Sequence, residues 1–197
     1  MSQKAKEKAQ QSAGPSQVGP GHLDEKEIAD LIGKGKERLI KDGFHGASIW
    51  PQIIAWGDHD QFQHVNNVHF SKFIESNRML FFSLVSKQMG EERHDDIVKG
   101  KGVGIILSSL AIRFRRPVLY PDTILVGRKP ILPLEGGRFT IQTTLFSIAQ
   151  QAEVASAEEI GVCYDYKALK KVDLPNDFKQ ALEDAAKNPG GPVKSRL

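Results

Sequence analysis

Residues 57–67 read GDHDQFQHVNN, a polar stretch caught between two apolar ones. Behind it, Phe70, Phe73, Ile74, Asn77, Leu80, Phe81 and Leu84 recur at steps of 3, 1, 3, 3, 1 and 3. That is the period of a long helix with a nearly continuous buried face, and Gly90 is a natural stop for it. Ahead of it, Ser48–Trp56 is rich in large apolar and β-branched residues and reads as a strand, with Pro51 suited to an edge or a bulge. After a charged linker, strands are predicted over 103–115, 122–132, 138–149 and 153–166. The punctuation between them is Arg116-Pro117, Tyr120-Pro121-Asp122 and Glu135-Gly136-Gly137. Phe139, Ile141, Thr143 and Leu145 alternate with polar partners, as a half-buried antiparallel strand requires. One strand, one long helix and four strands predict an α+β fold: a five-stranded antiparallel sheet wrapped around one helix. One helix cannot cover both faces of such a sheet. Either the outer face is polar, or a second copy of the chain covers an edge or a face.

The flanks are simpler. Asp24 followed by Glu27 has the spacing of a capping box, predicting a helix over 25–41 closed by Asp42-Gly43 and weakened by Gly33 and Gly35. Asn176–Ala186 reads as a short amphipathic helix. The expected organisation is a disordered tail at 1–22, an N-terminal helix and linker at 23–46, a main domain at 47–168, and a short helix and tail at 169–197. With 197 residues, 40% hydrophobic and 26% charged, the chain has the balance of an ordinary globular protein. The net charge of +3 sits in the flanks: residues 1–22 carry +2, residues 187–197 carry +3, and the body carries −2. That argues against nucleic acid, for which the cluster Arg113, Arg115, Arg116 is too short a basic stripe. The lone Cys163 excludes an internal disulfide framework and fits a reducing compartment. No apolar run approaches the roughly 20 residues of a membrane span, and the start lacks the apolar core of a signal peptide. Cytosol is the expected location, with the mitochondrion second because of the Lys-containing leader.

Chemistry concentrates in the connection before the long helix, which carries Asp58, His59, Asp60, His64, Asn66 and Asn67. A helix start presents unpaired N–H groups and the positive end of the macrodipole, suited to polarising an ester or thioester carbonyl. Asp60 is placed to act as nucleophile or as the base that activates water, and His64 to orient it or carry a proton. The competing reading is purely structural, since Asp and Asn are also the residues of N-caps and Asx turns. Asp58 is assigned to that role. Glu75 stands three before Arg78, the spacing of an ion pair on a helix. Cys163 reads as a small buried strand residue. The run Gly100-Lys101-Gly102-Val103-Gly104 lacks the ending of a phosphate loop and reads as a flexible strand entry. His59 and His64 lack a third ligand, so no metal is expected.

Two segments resemble a known family. Ile54–Asp60, then His64-Val65-Asn66-Asn67, then Phe70, Glu75 and Arg78 look like the signature of hot-dog-fold thioesterases of the 4-hydroxybenzoyl-CoA thioesterase type. Phe114-Arg115-Arg116-Pro117-Val118-Leu119-Tyr120-Pro121-Asp122 is similar to that family's strand end. The resemblance covers about 47–168, a full hot-dog domain. It implies hydrolysis of an acyl-CoA thioester, with Asp60 matching the catalytic carboxylate and Asn67 the position whose N–H meets the carbonyl. His64 stands where many relatives have His. It also implies sites built between subunits of a homodimer or homotetramer. No cofactor is implied, coenzyme A entering only as part of the acyl-CoA substrate. Departures are Gln63 where the family has Gly, Phe70 for Tyr, and Pro121 for Gly. Gln63 requires a turn that tolerates a side chain.

Arg128, Lys129 and Arg138 are candidates to meet the nucleotide phosphates. Two other functions compete. A hot-dog hydratase needs Asp five before His with Asn-Pro between, whereas Asp60 is four before His64. A catalytically idle binding or assembly module would have lost the carboxylate, and Asp60 is present.

Overall fold

The computed structural model describes residues 23–191; the tail expected at 1–22 and residues 192–197 lie outside them. Helix α1 (Glu25–Lys41) precedes the short strand β1 (Trp50–Ile53), which leads through the polar connection into the long helix α2 (Asn67–Lys87). Helix α3 (Glu91–Lys99) follows, then β2 (Val103–Phe114), β3 (Thr123–Glu135), β4 (Arg138–Ser147) and β5 (Ala152–Asp165). A two-residue strand, β6 (Lys170–Lys171), and helix α4 (Asn176–Lys187) complete the described chain. The sheet order is β1-β3-β4-β5-β2, antiparallel throughout, with β6 beside β5.

Strand alternation decides what each face does. Along β3, Ile124 and Val126 pack with Phe70, Phe73 and Ile74 of α2, while Leu125 packs with Leu39 of α1 and with Phe44. The sheet therefore curls around α2 on one face and carries α1 on the other. Gly35 makes that second contact possible: a Cβ there would lie 2.6 Å from the Leu125 side chain. The glycine that weakens α1 as a helix is the one that lets it approach the sheet. Part of the outer face is thus covered within the chain. Over β5 and β2 the same face shows exposed Glu158, Ser109, Ala111 and Arg113.

The structure departs from the sequence reading in four places. β1 is shorter than Ser48–Trp56, because the Asp58 carboxylate takes the Ala55 N–H at 2.8 Å and turns the chain into a single 3₁₀ turn at Trp56–Asp58. Pro51 does sit on an edge strand. Residues 91–99, expected as a linker, form α3, which starts at Gly90 (φ +94°) and ends at a left-handed Gly100. Two ion pairs, Arg93–Asp96 at 2.9 Å and Lys99–Asp95 at 2.8 Å, run along its own surface, and Arg93 also reaches Asp177 of α4 at 2.8 Å. The buried face of α2 shifts after Asn77: Phe82, Val85 and Ser86 are buried, whereas Leu80 and Leu84 are only partly so. Helix α4 causes the shift, its Phe178 lying 6.1 Å from Phe82 and 5.8 Å from Phe139. Lastly, β6 has no counterpart among the predicted strands.

Asp122 ties the start of β3 to the end of β4. Its carboxylate accepts from Thr123 N at 2.6 Å, Ser147 Oγ at 2.5 Å and Ala149 N at 3.1 Å. Burial nevertheless dominates and pushes its pKa up from 3.8 to about 6. Between those values the folded chain holds a proton that the unfolded chain has released, so stability falls as pH rises from about 4 to about 6. The expected size of this component is about 3 kcal/mol. Urea unfolding across that window should show it, and Asp122→Asn should be weaker throughout yet lack this part of the pH dependence.

Candidate active site

The connection from β1 to α2 is a small hairpin. His59 bridges Val65, Asp60 N–H donates to the His64 carbonyl at 3.0 Å, and Gln63 N–H donates to the Asp60 carbonyl at 3.0 Å. His59 Nε2 accepts the Tyr120 N–H at 2.7 Å, and Val65 N–H donates to the Val118 carbonyl at 2.8 Å, pinning the hairpin to the segment after β2. The turn closes only because Gln63 adopts φ +64°, the left-handed conformation. This is the position at which the family pattern has Gly, and the side chain is carried at a cost of roughly 1–2 kcal/mol. Gln63→Gly, offset by the extra freedom of the unfolded chain, is therefore expected to raise stability by about 0.5–1 kcal/mol in a denaturant titration. Gln63→Val should lower it, because a β-branched side chain is poorly tolerated there.

Asn66 caps α2, its side chain accepting from Val68 N–H at 3.2 Å and its carbonyl from His69 N–H at 2.9 Å. No hydrogen bond from the Asn67 N–H, at the first helical position, is seen among the described residues. The first turn of α2 carries no acidic residue, so the positive end of its dipole is not offset from within the helix. Asp58, as expected, is structural: besides holding Ala55 N–H, it stands 3.7 Å from His69 Nδ1.

Asp60 divides its two oxygens. Oδ1 accepts the Phe62 N–H at 2.8 Å, which fixes the carboxylate, while Oδ2 lies 4.0 Å from His64 Nδ1, too far for a hydrogen bond. His64 Nδ1 lies 3.3 Å from the Val65 carbonyl. Both side chains keep contact with solvent. His64 and Asn67 line a groove of about 370 Å³ together with Phe70, Phe114, Arg115 and Arg116. Asp60 adjoins His64 but is not part of that lining.

The arginines are what sequence reasoning misplaced. Arg115 and Arg116, which the sequence offers as a short basic cluster and as part of the family-like strand end but not as site residues, stand at the groove beside the helix start. Arg115 is engaged by Glu153 at 2.6 Å. Arg128, a candidate for phosphate contact, is wholly buried and paired with Glu159 at 2.7 Å. Lys129 donates to the Asp42 carbonyl and lies over Phe44. The signal that separates them is strand alternation: on β3, Arg128 shares the face of Ile124 and Val126, toward α2.

Glu75 pairs with Arg78 at 3.3 Å, as its spacing suggests. Cys163 is buried, and burial pushes its thiol pKa up to about 12, so it is no nucleophile at neutral pH. Among the described residues no three His, Cys, Asp or Glu side chains come together to hold a metal ion, and no helix is long and apolar enough to cross a membrane.

The family model described as the thioesterase-like superfamily matches residues 54–182, which span the hairpin, α2, the four long strands and part of α4. The chain belongs to the thioesterase-like superfamily. It is 26% identical over 140 residues to the long-chain acyl-CoA thioesterase FadM of Escherichia coli K12, covering 69% of this chain and 98% of that protein. Among solved structures, a Thermus thermophilus thioesterase complexed with coenzyme A and Zn superposes with a TM-score of 0.58 at 17% identity, over 77% of this chain and 98% of that one. The DHNA-CoA thioesterase of Staphylococcus aureus gives 0.57 at 15% identity, over 75% and 97%. The superfamily's hot-dog fold, implied by the resemblance at 47–168, is the fold observed. The helix α1 packed outside it lies before the matched region.

Proposed function

We propose that this member of the thioesterase-like superfamily hydrolyses an acyl-CoA thioester, with Asp60 as nucleophile or general base. The observation that carries this reading is a carboxylate fixed through one oxygen, with an imidazole 4.0 Å from the other, in the hairpin that runs directly into a helix start, where that imidazole's residue and Asn67 line one groove. The thioester carbonyl would lie in the groove against the Asn67 N–H, which polarises it and stabilises the oxyanion of the tetrahedral intermediate. Asp60 Oδ2 then takes a proton from a water that attacks the carbonyl, or attacks it directly to give an anhydride that water afterwards hydrolyses to the free acid; in both cases the C–S bond breaks and coenzyme A leaves as the thiol. His64 is positioned to relay a proton to the departing sulfur. Arg116, on the groove and exposed, replaces Arg128 as the residue to meet a nucleotide phosphate.

A second copy of the chain is part of this reading. Ile53, Trp56, Phe62 and Val68 surround the hairpin and are each about 70% exposed or more. Large apolar side chains clustered this way mark an interface, and a homodimer, or a homotetramer of two such dimers, would cover them and wall the groove. FadM's description as a long-chain acyl-CoA thioesterase makes long-chain substrates the first to try. The test is free-thiol release from a panel of short-chain, long-chain and aromatic acyl-CoAs by native protein and by Asp60→Asn. Absence of release across the panel would overturn the reading in favour of an idle binding module.

A further inference from the structure

A second cavity, of about 180 Å³, lies between α2, α3 and the inner face of the sheet. It belongs to the other half of the molecule: Arg78 on its wall stands eleven residues along α2 from Asn67, about 16 Å of helix. Its walls are mostly apolar, from Phe82, Ile97, Val98, Ile105, Phe139 and Ile141. Met79 and Leu107, 45% and 37% exposed, mark the mouth.

Into this apolar pocket the fold places a charge cluster. Arg78, Arg128 and Glu159 all line it. Arg128 is wholly buried; its Nε donates to Asn77 Oδ1 at 3.0 Å and its Nη2 to the Ile74 carbonyl at 2.6 Å and Glu159. Its Nη1 is the one buried side-chain nitrogen or oxygen among the described residues that has no hydrogen-bond partner. Two guanidiniums face a single buried carboxylate, because Glu75, the other acid near Arg78, is 68% exposed. A buried donor without a partner is costly, and so is a buried positive charge without a counter-charge. A carboxylate in the cavity, against the partly accessible Arg78, would supply the missing counter-charge.

We propose that this cavity binds a small monocarboxylate with an apolar body, its oxygens meeting Arg78, with the charge of the wholly buried Arg128 behind it. The volume sets the size: an apolar cavity of about 150 Å³ accommodates benzene, so benzoate and hexanoate are of the right class. The site is distinct from the thioesterase groove, and its occupancy is read without turnover, so it stands or falls independently of the proposed reaction.

The experiment is a ligand-observed NMR titration of the full chain with benzoate and hexanoate, and with benzyl alcohol and hexanol as neutral counterparts. The carboxylates are expected to bind roughly tenfold or more tightly than the alcohols. Met79→Trp, which closes the mouth without touching the charge cluster, should weaken them by roughly tenfold or more and leave thiol release from acyl-CoA unchanged. Arg128→Lys should narrow the difference between acid and alcohol; if that variant does not fold, Met79→Trp still reads the cavity. Equal binding of acids and alcohols, no binding of the acids below about 10 mM, or acid binding undiminished in Met79→Trp would each overturn the proposal.

Discussion

Asp60→Asn is expected to lower kcat for acyl-CoA hydrolysis by roughly 100-fold or more while changing KM little. Asn has the size of Asp, and its amide oxygen can keep the bond from Phe62 N–H that fixes the carboxylate at 2.8 Å. What is lost is confined to Oδ2, the oxygen facing His64, which becomes an amide that can neither attack nor accept a proton. A purely structural Asp60, serving only as an Asx-turn residue, would lose little activity on this change. The kcat-against-KM split thus separates the two readings that residues 57–67 leave open. His64→Gln should cost less, because no hydrogen bond joins His64 to Asp60 at 4.0 Å and the carboxylate is held by the backbone instead. A single turnover in heavy-oxygen water tests for direct attack. Label in the protein identifies an anhydride hydrolysed at the Asp60 carboxyl carbon. Label only in the product acid fits general-base catalysis or an anhydride hydrolysed at its acyl carbon.

The periodicities that are strong in the sequence are those set by one-sided burial. The alternation Phe139, Ile141, Thr143, Leu145 and the stripe Phe70, Phe73, Ile74 each face a single partner layer, and both elements are legible from sequence. Where two layers meet one helix the period breaks. Phe82 is buried against α4 on a side of α2 that the first half of the stripe leaves open, and no local pattern reports that. Helix α3 escapes notice because it has only Ile97 and Val98 to signal a buried side, and because its polar anchors, Arg93 to Asp177 of α4 and His94 to Ser86 of α2, are long-range or cross-helix. At the candidate site, Asp60, His64 and Asn67 stand out only once the resemblance is added, because a polar cluster before a helix is equally the chemistry of caps and Asx turns. The approach of Arg115 and Arg116 to that helix is invisible in the sequence, since it depends on a pairing between segments some fifty residues apart.

The odd member of the α2 stripe, Asn77, points to the second large effect. Its side chain is buried, donating to the Ser48 carbonyl at 2.6 Å and accepting from Arg128 Nε. It holds the guanidinium whose partner, Glu159, sits opposite Leu110 of β2 and Ile141 of β4 on the inner face of the sheet. Glu159 Oε1 accepts from Arg128 Nη2 and Thr143 Oγ1, and Oε2 from Arg78 Nη1 at 3.0 Å. Burial already lowers the pKa of Arg128 to about 10, with Glu159 opposing that shift. Glu159→Gln keeps the shape but removes the only buried carboxylate between two guanidiniums. It is expected to cost about 3–5 kcal/mol in denaturant unfolding, the penalty of an uncompensated buried charge. The corollary is sharper than the loss itself. Arg128→Met combined with Glu159→Leu removes both charges and should be less destabilised than the sum of the two single changes, because neither charge is then left alone. Additive losses would mean that the two charges are not coupled and that each side chain stabilises the fold through other contacts.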